Sequence, residues 1–293
     1  MRKLYPTQNH PSYYRKQDIV YPVVSRRSGG VSIGINLSPS KKCNFACAYC
    51  QVSCQRLLEK AVLSNVSPRI DLEKLGREIE ETVRLVLSGE IFAEERFRET
   101  PAEKRVLRDF AFSGDGEPTL SPQFLDAVRL VAQKRDEMAN SSVKLILITN
   151  STTFRTPQTI RGCDELIKNN GEIWAKFDGL NDIVYRNVNR SSIPFDMIID
   201  NLIFASSRWP IKIQTMFLRN AGSVPTGAEI SSYVKILNRI VAKGGNIAGL
   251  QLYTVARPPI ESTISALNQV EMDAIADEIR RGTGLPTEVF YSR

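Results

Sequence analysis

Short apolar runs alternating with amphipathic stretches constrain this 293-residue chain more than any other feature of its sequence. Runs at 31–37 (VSIGINL), 109–113 (DFAFS), 143–149 (VKLILIT), 172–177 (EIWAKF), 211–217 (IKIQTMF) and 247–253 (IAGLQLY) are rich in β-branched or aromatic residues and read as buried parallel strands. Between and after them, 71–87, 122–138, 157–168, 195–206, 228–241 and 266–281 place apolar residues three or four apart, as helices do. Ser121-Pro122 and Thr156-Pro157 look like capped, proline-first helix starts. Six strands each followed by a helix predict an α/β fold, a right-handed βα repeat closed or partly closed as a barrel. A run at 287–291 adds an edge strand, and the charged stretch 88–104 is expected to be an exposed loop. We expect residues 1–30 to form an N-terminal extension and 31–293 a single domain. In such sheets ligands lie at the carboxyl ends of the strands, so chemically active residues should follow the runs.

They do so first at Cys43-Asn44-Phe45-Ala46-Cys47-Ala48-Tyr49-Cys50. Five cysteines, four of them between Cys43 and Cys54, make a poor disulfide framework, because such close neighbours cannot staple distant parts of a large fold. They read as ligands instead. Three thiolates in CxxxCxxC spacing can wrap one iron–sulfur cluster and leave one iron without a protein ligand. A zinc knuckle completed by Cys54 is the competing reading. The single histidine, His10, nearly excludes histidine triads and multi-histidine zinc sites. No apolar run nears the ~20 residues that span a bilayer, and no secretory signal is visible, so a cytoplasmic protein with no membrane partner is expected. Net charge +7 permits a polyanion partner but is also that of an ordinary basic protein; no DNA partner is expected. In the leader, Tyr5, Tyr13, Tyr14, Arg15 and Lys16 mix bases with aromatics, although packing against the domain is the commoner use.

Further polar residues follow the later runs. Ser113-Gly114-Asp115-Gly116-Glu117-Pro118 is a turn in which glycines let backbone approach a ligand. Asn150 and Ser151 close the third run and Asp178 the fourth; helix capping or turn formation is their alternative use. Gln214 interrupts an apolar strand and must find a partner, either a ligand or a structural amide. Val255 and Arg257 follow the sixth run, where backbone could frame a base and the arginine could meet an anion.

CxxxCxxC with an aromatic residue before the last cysteine resembles the radical S-adenosylmethionine (SAM) superfamily. The resemblance implies a partial (β/α)6 TIM-like barrel of the radical SAM type, a [4Fe-4S] cluster on Cys43, Cys47 and Cys50, and SAM chelating the fourth iron through its amino and carboxylate groups. It further implies SAM contacts at Tyr49, Gly114, Asp115, Gly116, Glu117, Asn150, Ser151, Asp178, Gln214 and Val255, with flavodoxin or ferredoxin as electron donor. Asp115 departs from the family's glycine pair. Residues 25–27 (SRR), GINLSPSKKCNFACAYCQ, FSGDGEPTL, the stretch from KFDGLN to VNR, and QLYTVARPP resemble compact members related to the wyosine-forming tRNA synthases. That subgroup implies tRNA as a partner and a lysine that binds a pyruvate-derived unit, for which Lys41, Lys42 and Lys176 are candidates. Cys54 and Cys163 are too few for the subgroup's second cluster. A radical SAM enzyme acting on a small metabolite or a protein glycyl site, and a non-catalytic zinc or iron–sulfur protein, are the alternatives.

Overall fold

A computed structural model describes residues 14–15, 17–38, 43–51, 68–257, 259 and 261–292. His10, Lys16, Lys41, Lys42, Cys54, Tyr5 and Tyr13 lie outside the described residues. The chain forms two compact units, one built from Met1–Cys43, Glu59–Ile148 and Pro157–Glu172, the other from Asn44–Leu58, Thr149–Thr156 and Ile173–Arg293.

In the first unit, strands β1 (Val20–Ser25), β2 (Gly30–Ile35), β3 (Leu107–Phe112) and β4 (Lys144–Thr149) pair in that order, antiparallel at β1–β2 and parallel thereafter. Every residue of β2 is buried, as in a parallel strand covered on both faces. Gly34 lets the Tyr21 ring lie flat on it: a Cβ there would sit 2.3 Å from the ring. Helix α1 (Leu72–Ser88) opens on Asp71, which accepts from the Lys74 amide, and stops at Gly89 with φ +80°. Its buried Glu78 accepts from the amides of Ile19 (3.2 Å) and Val20 (2.9 Å), fixing the entry of β1. Stretch 88–104 is not an exposed loop. It coils through two short 3₁₀ turns and inserts Ile91, Phe92 and Phe97 into a cluster with Tyr14, Tyr21, Val31, Leu85 and Val86, because its charges alternate with apolar anchors. Helix α2 (Phe124–Met138) begins two residues after Pro122; Gln123 instead clamps the backbone of Ile70 at 2.7 and 3.1 Å. Helix α3 (Pro157–Lys168) packs its Gly162 on Phe124 of α2, with room for no Cβ.

In the second unit, β5 (Gly171–Lys176), β6 (Ile211–Met216), β8 (Ile247–Tyr253) and β10 (Thr287–Phe290) are parallel neighbours. Strands β7 (Leu218–Asn220) and β9 (Ile264–Ala266) make a separate antiparallel pair. Helices α4 (Asp182–Val188), α5 (Phe195–Arg208), α6 (Gly227–Ala242) and α7 (Gln269–Thr283) alternate with the strands, α6 and α7 each starting with a full capping box. Phe177, following β5, stacks between Phe195 of α5 (5.7 Å) and Tyr233 of α6 (5.8 Å), and Thr215 bonds the Tyr233 hydroxyl. Since side chains alternate along a strand, Lys176, Gln214 and Met216 stand on the opposite face, away from α5 and α6. Among the described residues, no helix is long and apolar enough to cross a membrane.

Candidate functional site

The second and third cysteines of the motif sit on a loop held by its backbone. The amides of Ala46 and Ala48 donate to the carbonyls of Asn189 (3.1 Å) and Val188 (2.8 Å) at the end of α4, and the Ser191 hydroxyl donates to the Asn44 carbonyl at 3.0 Å. Phe45 meets Tyr185 edge-on at 5.8 Å, while Ala48 and Val255 share an apolar cluster with Val188, Leu218 and Ile264, against which Tyr49 packs. Asn44 is tied to Asn150 (2.6 Å) and to Thr152 (2.8 Å).

Asp178 organises the chemistry beside this loop. Its carboxylate, with a fully covered side chain, accepts from the Tyr49 hydroxyl, the Met216 amide (2.8 Å) and Asn189 Nδ2 (3.4 Å), and stands 3.3 Å from Lys176 Nζ. Burial and then the Asp178 charge hold the Tyr49 phenol well above its ordinary pKa, so it donates as a neutral hydroxyl. Burial opposes the Lys176 ammonium, yet Asp178 and Tyr253 outweigh it and raise its pKa; the ammonium donates to the Tyr253 hydroxyl and lies over the rings of Tyr49 (5.0 Å) and Tyr253 (5.2 Å). Lys176 is thus a bound cation, not a solvated lysine.

Cys47 receives a hydrogen bond from Asn189 Nδ2 at 3.7 Å. Its packed surroundings, and next the Asp178 charge, push the thiol up to about 12, while Lys176 pulls the other way. Iron binding must therefore displace a proton, and metal coordination does so by favouring the thiolate. Cys43 and Cys50 are half-buried thiols, whereas Cys163 is fully buried in α3 beside the first unit's core and cannot be a ligand as folded. Among the described residues, no group of three or more His, Cys, Asp or Glu side chains is already drawn together around a metal position. The fit rests on donor chemistry: soft thiolates in this spacing suit iron–sulfur, and the Asn189 N–H with the nearby ammonium favours a charged sulfur at Cys47.

The remaining expected residues have identifiable places. In the first unit, Gly114 has φ +140° and a Cβ there would approach Asn36 to 3.0 Å, so glycine is required. Asp115 and Glu117 are buried, and Glu117 accepts from the amide and hydroxyl of Thr119 (3.1 and 2.6 Å), capping a 3₁₀ turn. In the second, the Ser151 hydroxyl donates to the Lys176 carbonyl (3.2 Å) from a backbone at φ +69° that Asn201 secures through the Ser151 and Thr152 carbonyls, each at 2.9 Å. Arg257 and Gln51 bond one another twice on an exposed loop. Gln214 is completely buried and donates to Gln251, which donates to Glu288. Sequence reasoning passed over Asn189, Tyr253 and Gln251. Gln251 carried the same signal as Gln214, an amide in an apolar strand; the other two depend on loop closure.

The pattern that defines the Radical SAM superfamily matches residues 37–221, more than half of the chain. The chain belongs to the radical SAM superfamily. This radical SAM protein is 23% identical over 238 residues to a "UPF0026 protein" of Helicobacter pylori, covering 81% of this chain and 66% of that one. It is 28% identical over 253 residues to a UPF0026 protein of Methanocaldococcus jannaschii, covering 83% of this chain and 65% of that one. The chain therefore spans about two-thirds of the length of these curated relatives. A solved structure of "TYW1 with a lysine-pyruvate adduct bound" superposes with a TM-score of 0.54 at 14% identity, covering 86% of this chain and 74% of that one. That likeness shows the fold, a mixed α/β partial barrel of the radical SAM type. Membership implies a [4Fe-4S] cluster and SAM, and makes the protein an enzyme of the class.

Proposed function

We propose that this protein cleaves SAM reductively at a [4Fe-4S] cluster held by Cys43, Cys47 and Cys50, and uses the resulting radical to modify a tRNA base. The observation that carries the reading is the Cys47 environment, in which Asn189 donates to the sulfur, Asp178 fixes Asn189 and Tyr49, and Lys176 balances the charge. Held by Cys43, Cys47 and Cys50, a [4Fe-4S] cluster would supply the single electron that reductive cleavage of SAM requires. The protein's own part is to orient and exclude water. The α4 end holds the cysteine loop in shape, and Tyr49, fixed through its hydroxyl, offers a ring face beside Val255. The same reading assigns SAM contacts to Tyr49, Gly114, Asp115, Gly116, Glu117, Asn150, Ser151, Asp178 and Val255. Flavodoxin or ferredoxin is the proposed electron source and the cytoplasm the proposed location. Net charge +7 and the motif resemblance to the wyosine-forming tRNA synthases support tRNA as substrate.

Anaerobically reconstituted protein incubated with SAM, dithionite and cellular RNA should release 5′-deoxyadenosine and yield a modified nucleoside. Cys47→Ala should lose iron, the brown absorbance and SAM cleavage together; full cleavage by that variant refutes the assignment. RNA binding should weaken steeply as salt rises, and insensitivity would argue for a small-molecule substrate.

A further inference from the structure

Four polar residues stand at one register on four neighbouring parallel strands. Lys176 of β5 pairs with Gln214 of β6, Gln214 with Gln251 of β8, and Gln251 with Glu288 of β10. In-register partners on parallel strands share a face, so the row crosses the side of the second unit turned away from α5 and α6. Its hydrogen-bond sense is set from one end. Glu288 Oε2 accepts a hydrogen bond from Gln251 Nε2 at 3.3 Å. That turns Gln251 Oε1 toward Gln214, whose Nε2 donates to it at 2.6 Å. Gln214 Oε1 is then left pointing away from Gln251, fully buried and without a partner. Buried amide oxygens are rarely left unmet, and this one needs a donor from a water or from a bound ligand.

Beside it stands the complementary group. The Lys176 ammonium has three N–H donors; Tyr253 takes one, Asp178 Oδ2 at 3.3 Å faces a second, and the third has no acceptor among the described residues. A cationic donor and a buried acceptor therefore stand on neighbouring strands at one register, with the rings of Tyr49 and Tyr253 flanking the ammonium.

We propose that Lys176 and Gln214 form a subsite for a small carboxylic acid bearing a hydroxyl or amino group on the neighbouring carbon. The carboxylate meets Lys176 Nζ, and the hydroxyl or amine donates to Gln214 Oε1. The inference rests on the radical SAM reading, for which it names the class of a reacting molecule. SAM carries the same α-amino carboxylate, and the resemblance gives Gln214 to SAM; because both of those groups of SAM go to iron in that reading, the row is assigned instead to a second ligand.

The test uses cluster-reconstituted protein, with L-lactate, pyruvate and propionate as probes followed by ligand-observed NMR, and labelled SAM followed separately by equilibrium dialysis. Lactate should bind at least about tenfold more tightly than pyruvate, which has a carbonyl in place of the hydroxyl, or propionate, which has neither group. Gln214→Met should erase the lactate advantage and leave pyruvate binding unchanged, a ratio that loss of folded protein cannot imitate. Lys176→Met should weaken all three acids, and Gln214→Met should keep SAM affinity within about twofold. Equal binding of lactate and propionate by the native protein overturns the proposal, as does loss of SAM binding in Gln214→Met, which would give the row to SAM. Lactate selectivity without any SAM binding supports the subsite and counts against the radical SAM reading instead.

Discussion

Replacing Asp178 by alanine tests whether one carboxylate organises the second unit. The substitution removes the acceptor of the Met216 amide and the Tyr49 hydroxyl, and strips the Lys176 ammonium of the carboxylate it pairs with. Breaking a buried pair by deleting one partner costs about 3–5 kcal/mol. The Lys176 side chain keeps 20% of its exposure and can recover some water, which favours the lower end, whereas the orphaned Met216 amide adds about 1 kcal/mol or more. We therefore expect a loss of about 4 kcal/mol. At a urea slope of about 2 kcal/mol/M the midpoint falls by about 2 M. Both tryptophans of the chain, Trp174 and Trp209, are buried in the second unit, so fluorescence reports the transition of that unit. Asp178→Asn, which preserves an oxygen for Met216, should lose about half as much. A midpoint shift below about 0.5 M in Asp178→Ala would show that the carboxylate is dispensable and that the network described here is incidental.

Two further outcomes follow from the first unit. Burial raises the Glu78 carboxyl above its ordinary value, so the folded state holds that proton more tightly; its stabilising contribution is full below the ordinary value and is lost as pH rises through the raised one. Glu78→Gln, whose amide oxygen can still accept from Ile19 and Val20, should therefore gain stability relative to the native protein as pH rises from the ordinary carboxyl range through the raised one, measured by urea unfolding with circular dichroism; a constant difference would contradict this. Gly162→Ala would drive a methyl to 2.4 Å from the Phe124 ring, and should cost about 1–3 kcal/mol and lower the melting temperature, whereas an unchanged melt would mean that α2 and α3 slide apart freely.

The strand–helix alternation was legible because buried parallel strands are continuous apolar runs, and β2, β3, β4, β5, β6, β8 and β10 fall within a residue or two of the expected positions. Strand β1 escaped notice because VYPVVS contains Pro22, which reads as a break; proline is tolerated there because β1 is an edge strand. Helix α4 is seven residues long, too short for periodicity to show, and is announced only by its Asn181 cap. Cysteine spacing reads directly as ligand chemistry because three thiols crowd into eight residues. The Asp178, Asn189 and Tyr253 contacts could not be read that way, since they join residues separated by up to 142 positions and depend on how the loops close. Asn150 and Ser151 read as strand-end polar residues, but spacing alone does not show that their side chains are engaged with Asn44 and the Lys176 backbone.

The grip of α4 on the cysteine loop runs through main-chain amides and carbonyls, at Ala46 with Asn189 and Ala48 with Val188. Peptide groups do not ionise, so this latch is electrically indifferent to what happens at the sulfurs. Protons can leave the thiols and positive metal can arrive without loosening the scaffold that presents them. The loop can thus keep one shape through a large swing in local charge, and its ordering entropy has already been spent before any inorganic partner is engaged.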